Sequence, residues 1–199
     1  MRGCSGEGKT TFAAELARRL GVPHLELDAV FHRPGWREAT QDEFDSAVTA
    51  FVTSEAARTG WVVDGNYRAR VGDLLAGADT VVWLDYPRRT VMSRVVRRTL
   101  GRLITRRELW NGNRESWRNL LRRRPEDNIV LWAWTAHPRY AAICADAMAA
   151  ARSDPTAPLM VRLASPREAR RWLDAARAQR PATGRTPPAA ERAAEPPAR

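Results

Sequence analysis

The sequence predicts an α/β fold, a parallel sheet sandwiched by helices. Three observations predict it: short, continuously apolar segments alternate with amphipathic ones, a glycine-rich loop runs straight into the first helix, and capping signals mark where helices restart. The 199 residues are 44% hydrophobic and include 8 Trp, enough to fill the core of one domain, read here as residues 1–178.

The elements follow in order. Lys9, Phe12, Leu16 and Leu20 recur at helical spacing, and Gly21 then Pro23 close that helix. His24 to Asp28 reads as a short strand and Phe31 to Arg37 as irregular. Thr40-Gln41-Asp42-Glu43 is a capping box; Phe44, Val48, Phe51 and Val52 form the buried stripe of a helix expected to end near Gly60. Trp61 to Gly65 is a buried strand ending in an acid and a glycine. Thr80 to Asp85 is another, and Pro87 opens a helix to about Leu100. Ile129–Trp134 and Tyr140–Met148 read as two helical stretches. Leu159–Leu163 is the last strand, and Ser165-Pro166-Arg167-Glu168 is a second capping box opening a helix through Trp172. From about Gln179 the chain is Pro, Ala, Arg and Glu with nothing to bury, which predicts a disordered tail over 179–199.

Composition removes several classes. The mean hydropathy is −0.49, no apolar run approaches 18 residues, and the opening residues lack a secretory stretch, so a cytoplasmic protein without membrane spans is expected. Cys4 and Cys144 are too few for a disulfide framework, no Cys/His spacing suits zinc, and His32 and His137 read as structural. Of 33 basic residues 32 are Arg, and the net charge is +10. Lys9 is the only lysine. A compact ammonium at the bottom of a narrow phosphate loop is a role that arginine does not fill.

Gly3-Cys4-Ser5-Gly6-Glu7-Gly8-Lys9-Thr10 matches G-x-x-x-x-G-K-[ST] directly before a helical pattern. This predicts a P-loop NTPase-type sheet whose loop N–H groups cradle a polyphosphate, with Lys9 on the β/γ-phosphates and Thr10 on Mg²⁺. Gly3, Ser5, Gly6, Glu7, Gly8, Lys9, Thr10 and Thr11 are the candidate ATP contacts. The alternative is a glycine turn with an exposed lysine. Glu7 is expected to contribute its N–H with the side chain turned outward, and Cys4 to be a small loop residue. Such a loop normally follows a buried strand, whereas here only Met1 and Arg2 precede Gly3, so the first strand is missing. Either translation starts upstream or the chain lacks that strand and binds nucleotide poorly.

Asp64 ends a buried strand, where acids of a nucleotide-binding sheet face the ligand crevice, and is the candidate acid for Mg²⁺; the alternative is a cap on the turn with Gly65. Asp85 reads either as a site acid or as a helix cap. Asp28 is positioned to meet an acceptor hydroxyl. Arg94 and Arg98 lie four apart on a helix and share one face, suiting them to a transferring phosphoryl group. Residues 101–125 read as an Arg-rich lid in which Arg114 is the next candidate.

Asp64-Gly65-Asn66-Tyr67-Arg68 resembles the Asp-Gly-x-x-Arg stretch of adenylate-kinase-like nucleoside monophosphate kinases. Asp85-x-Pro87 followed by Arg94 and Arg98 is similar to that family's entry into its lid. The resemblance implies that Asp64 serves Mg²⁺, that Arg68 holds the acceptor phosphate, and that Arg94 and Arg98 hold ATP phosphates or its base. Through Trp36, the DGNYR stretch and Trp110-Asn111-Gly112-Asn113-Arg114-Glu115, the likeness is closer to bacterial adenylate-kinase-like proteins often labelled topology modulation proteins.

These readings converge on a phosphotransferase moving the γ-phosphoryl of ATP to a small-molecule acceptor, possibly a nucleotide. The rival is a nucleic-acid-binding ATPase affecting DNA topology: 13 Arg and two acids between Arg88 and Arg124, interleaved with Trp110 and Trp117, suit single strands. A third reading is an inactive nucleotide-binding remnant.

Overall fold

The computed structural model describes residues 1–106, 108–122, 124–125 and 128–176, and for Arg68 and Asn119 the backbone alone. The expected tail at 179–199 lies outside the described residues. The chain is mixed α/β with parallel strand pairs.

Its elements are α1 (Lys9–Leu20), β1 (His24–Glu26), α2 (Leu27–Phe31), α3 (Gln41–Val52), β2 (Val62–Asp64), α4 (Arg68–Val71), β3 (Thr80–Leu84), α5 (Arg88–Thr105), α6 (Trp117–Leu121), α7 (Ile129–Arg152), β4 (Leu159–Leu163) and α8 (Pro166–Ala176), with short 3-10 turns between several of them. β1 pairs in parallel with β2, placing Glu26 beside Asp64, and β3 pairs in parallel with β4. The two pairs do not meet directly. Between them lie Met1 and Arg2: the Met1 amino group donates to the Val63 carbonyl at 2.7 Å, Arg2 N donates to Val82 O at 2.8 Å, and Leu84 N donates to Arg2 O at 3.0 Å. Arg2 thus forms an isolated parallel bridge with Trp83 of β3.

Two apolar clusters match the two strand pairs. Phe12, Leu16, Val82, Leu84, Val91 and Val95 belong to one, which joins β3 and β4 to α1, α5 and α8. Leu27, Phe44, Val48 and Val63 anchor the other, beneath α2 and α3. Fully burying such side chains contributes about 1.5–3 kcal/mol each.

Several boundaries differ from expectation. β1 stops at Glu26 because Leu27 turns inward as the first residue of α2. The capping box at Thr40 is formed in both directions, yet α3 ends at Val52, well before Gly60. Helix α5 continues past Leu100 to Thr105. The helical stretches read at 129–134 and 140–148 are parts of one helix, α7, which continues through Pro138. Proline lacks the N–H that would bond the carbonyl four residues back. Here Arg88 takes that place, donating from Nη2 to Trp134 O at 2.6 Å with its guanidinium 3.3 Å from the Trp134 ring centroid.

Candidate functional site

The glycine loop sits where β3, α1 and α5 converge. Gly3, Gly6 and Gly8 have φ of 141°, 94° and 84°, values that L side chains rarely adopt. Space forbids side chains at two of them as well. A methyl group on Gly6 would meet the Val95 side chain and come within 2.9 Å of the Val91 carbonyl; one on Gly3 would meet the Glu7 carboxyl and come within 2.8 Å of Leu84 O. The start of the loop is fixed by Asn66, which donates to Gly3 O at 2.6 Å and accepts from Gly3 N at 3.3 Å. Gly8 caps α1 without a side-chain acceptor, and no acid lies in the first turn. The N-terminal N–H groups and the positive end of the helix dipole thus have no side-chain cap among the described residues. Lys9 folds over the loop and donates to Cys4 O at 3.0 Å.

Glu7 departs from expectation. Its side chain is turned inward: the residue is 3% exposed and Oε2 is buried without a hydrogen-bond partner among the described residues. Burial raises its acid to about 8. The reason lies at Gly3, whose bare Cα leaves the space that the carboxyl fills. Cys4 is the small buried residue expected, its thiol raised to about 11 by burial and by Glu7.

Behind the loop, Thr10 Oγ1 lies 3.1 Å from Glu26 Oε1 and 3.2 Å from Asp64 Oδ1. A hydroxyl has one hydrogen to give, so it serves one of these oxygens at a time. The other Asp64 oxygen is 2.7 Å from His24 Nε2. Asp64 is 1% exposed and does not line the cleft, whereas Glu26 does. Burial raises the Glu26 acid, and a hydrogen bond from Trp110 opposes it. Glu26 and His24 were missed in the sequence. Their signal is the register that puts β1 beside β2, with His24 and Glu26 two apart on one strand face. Three hard oxygens converge here, a set that could hold Mg²⁺ together with substrate oxygens and water. Among the described residues no group of three or more His, Cys, Asp or Glu side chains could hold a metal by itself.

α5 brings the two expected arginines to the loop. Arg94 donates to Glu7 O at 3.2 Å and lies over Tyr86, and Arg98 donates from Nη2 to Ser5 Oγ at 3.0 Å. Arg98 Nε is buried without a partner among the described residues, and burial, with Arg102 beside it, pulls the guanidinium below its ordinary range. Arg102 pairs with Glu115 at 2.7 Å.

The opposite wall is aromatic and acidic. Asp28 accepts from the Tyr67 hydroxyl at 2.6 Å, and His32 lies between Trp36 and Trp110 at 5.3 and 5.4 Å. The lid expected at 101–125 is tied to this wall. Asn111 donates to the Ala29 and His32 carbonyls at 3.0 and 2.6 Å, and Asn113 donates to Arg33 O at 2.9 Å while accepting from Trp36 N at 2.9 Å. Trp36 and Asn111 adopt φ of 60° and 55°, strain that these contacts hold in place.

These walls enclose a cleft of about 1880 Å³. Ser5 through Thr11, Asp28, Arg94 and Arg98 line it together. Gly3 and Asp64 lie beneath its surface. Arg114 is not among its lining residues: its guanidinium is exposed and faces Glu108 at 3.8 Å, because residues 108 and 114 pair across the turn that Asn111 and Asn113 secure. The Arg68 side chain lies outside the described residues. Asp85 is occupied by Arg162, which donates to it at 2.7 Å. His137 contacts Tyr86 O at 3.0 Å. No helix among the described residues is long and apolar enough to cross a membrane.

A scan against protein-family models matches no family, and a search of curated proteins finds no matching relative.

Proposed function

We propose that the protein is a P-loop phosphotransferase of the nucleoside-monophosphate-kinase type, moving the γ-phosphoryl of ATP to a small-molecule acceptor. The observation that carries this reading is the junction of loop and helix. An uncapped helix N-terminus, three positive-φ glycines, Lys9, and two arginines bonded to the loop from α5 all meet at one cleft.

The chemistry is positioning and charge neutralisation. Loop N–H groups and Lys9 bind the β- and γ-phosphates, and the contact of Lys9 with Cys4 O is exchanged for phosphate oxygen. Arg94 and Arg98 neutralise charge that builds on the transferring group. Thr10 and Glu26 would hold Mg²⁺, with Asp64 behind Thr10; the ion supplies further neutralisation of the phosphates. Asp28, which accepts from the Tyr67 hydroxyl, would orient an acceptor hydroxyl and take its proton.

Part of the arginine run supports this reading over a single-strand binder, while Trp117 stands exposed and is the feature left to that alternative. Arg94, Arg97, Arg98, Arg102 and Arg122 line the cleft, and Trp110 is engaged with His32 and Glu26 instead of standing free for a base.

The test is ATP-dependent phosphorylation of a metabolite library by the full chain, read by mass spectrometry, beside the Lys9→Ala variant. A product that needs both ATP and Lys9 supports the reading. Strong, steeply salt-dependent DNA or RNA binding with no phosphorylated product would replace it by the nucleic-acid alternative.

A further inference from the structure

We propose that Glu7 is a proton-carrying part of the anion site, and that binding of a polyphosphate at the glycine loop keeps one proton on its carboxyl. The inference rests on the phosphate-loop reading and assigns to a side chain, not to its backbone N–H, a share in the binding.

Glu7 occupies the loop position just before the glycine that caps α1, and its carboxyl folds inward against the bare Cα of Gly3. The residue is 3% exposed, and Oε2 reaches neither solvent nor a hydrogen-bond partner among the described residues. An ionised carboxylate with an orphan oxygen in such a place is costly, and a protonated one is far less so.

The surroundings of the carboxyl decide which state goes with an anion. From the loop it faces Lys9 and the Cys4 thiol, with the Cys4 N–H directed to it; from the segment after β3 it faces Asp85 and the N–H of Tyr86. From α5, Arg94 bonds the Glu7 carbonyl and Arg98 bonds Ser5. Lys9 and these N–H groups favour the charged acid, burial and Asp85 oppose it, and burial is the largest influence, leaving the acid near 8. A polyphosphate on the loop adds negative charge beside the carboxyl and draws Lys9 away from it. Both effects favour the neutral acid.

Proton and anion therefore bind with positive linkage. Near neutral pH Glu7 carries its proton and the loop presents only positive charge. As pH rises past 8 the free protein loses the proton, and an anion must then either restore it or bind beside a carboxylate.

The experiment is calorimetric titration of the full chain with ADP and with inorganic tripolyphosphate from pH 6.5 to 9.5, repeated at pH 8.5 in buffers of different ionisation enthalpy. Expected for the wild type is a flat affinity to about pH 7.5, a fall of up to about tenfold per pH unit above 8, and net proton uptake at pH 8.5. In Glu7→Gln the extra fall above pH 8 and the extra proton uptake of the wild type are gone, leaving only the titration of the ligand's own phosphates. Wild-type affinity that is equal at pH 7 and 9.5, with no proton uptake, overturns the proposal while leaving the phosphate loop intact. Absence of binding at every pH overturns both. Should the Gln variant misfold, uptake by the wild type and its loss in Glu7→Ala decide the matter.

Discussion

Arg98 on α5 and Ser5 in the glycine loop are joined at 3.0 Å, so the helix that carries the arginines is bonded directly to the loop it would serve. The remaining Nε–H of Arg98 is buried and has no partner among the described residues. Replacing Arg98 by Met keeps most of its packing and removes a charge-assisted donor, a change of about 1.5–3 kcal/mol. ATP affinity measured by calorimetry is expected to fall about 10- to 100-fold, with Arg98→Lys intermediate. Unchanged affinity in both variants would leave Arg98 a packing residue.

Lys9→Ala is expected to reduce ATP turnover by a factor of at least about a hundred with little change in melting temperature. The only hydrogen bond of Lys9 among the described residues is to its own loop, so the fold loses little with it. Paired activity and thermal-melt measurements test both halves of the statement.

Glu26, which the sequence reading did not single out, faces the cleft, whereas Asp64, the acid it did single out, lies behind Thr10. Glu26→Gln is expected to raise the Mg²⁺ concentration needed for half-maximal activity about tenfold or more, with nucleotide affinity in EDTA unchanged. Asp64→Asn is expected to lower Mg²⁺-dependent activity as well. It also costs stability, because the buried Asp64 carboxylate contacts both His24 and Thr10. Activity that is insensitive to Glu26→Gln at limiting Mg²⁺ would return the role to Asp64 alone.

Much of the fold was legible because its signals are local. Thr40 and Glu43 form their reciprocal cap three residues apart, Gly21 ends α1 at a positive φ, and Leu159–Leu163 reads as a strand from its own apolar run. What stayed hidden depends on partners far along the chain. That 129–134 and 140–148 belong to one helix depends on Arg88, fifty residues before Pro138, which serves the carbonyl that the proline leaves free. Asn66 holds Gly3, and His24 holds Asp64, only because of tertiary placement. The orientation of Glu7 follows from the space at Gly3, which a motif specifies as glycine without saying what fills it.

The Arg88 contact can be measured as a coupling. Arg88→Ala should destabilise the protein by about 1–3 kcal/mol, since it leaves the Trp134 carbonyl without its donor. In a Pro138→Ala background the helix regains its own N–H, and the same substitution should cost clearly less. Denaturant melts of the four proteins give the interaction energy. Strict additivity would show that Arg88 does not substitute for the missing helical bond.

Glu7 also makes stability depend on pH. Its acid stands near 8 in the folded state against 4.5 ordinarily, so the folded chain holds a proton that the unfolded chain releases. The contribution is fully present below about pH 4.5 and is lost as pH rises towards 8. Glu7→Gln, neutral throughout, is expected to melt several degrees above the wild type at pH 8, and the gap should close as pH approaches 4.5. A constant gap across that range would mean that the carboxyl is not the titrating group.

The contacts made by Asn111 and Asn113 have a consequence for the newly made chain. They tie the backbone of residues 29–36 to side chains 77 to 82 positions further on. Closing so long a loop is entropically slow, and synthesis at roughly 5–20 residues per second adds several seconds before the asparagines even emerge. Until then the carbonyls of Ala29, His32 and Arg33 are without these partners and Trp36 lacks the contact that holds its unusual backbone. The aromatic and acidic wall is thus completed late in biogenesis, and a ribosome stalled before residue 111 would present a glycine loop with no finished cleft beside it.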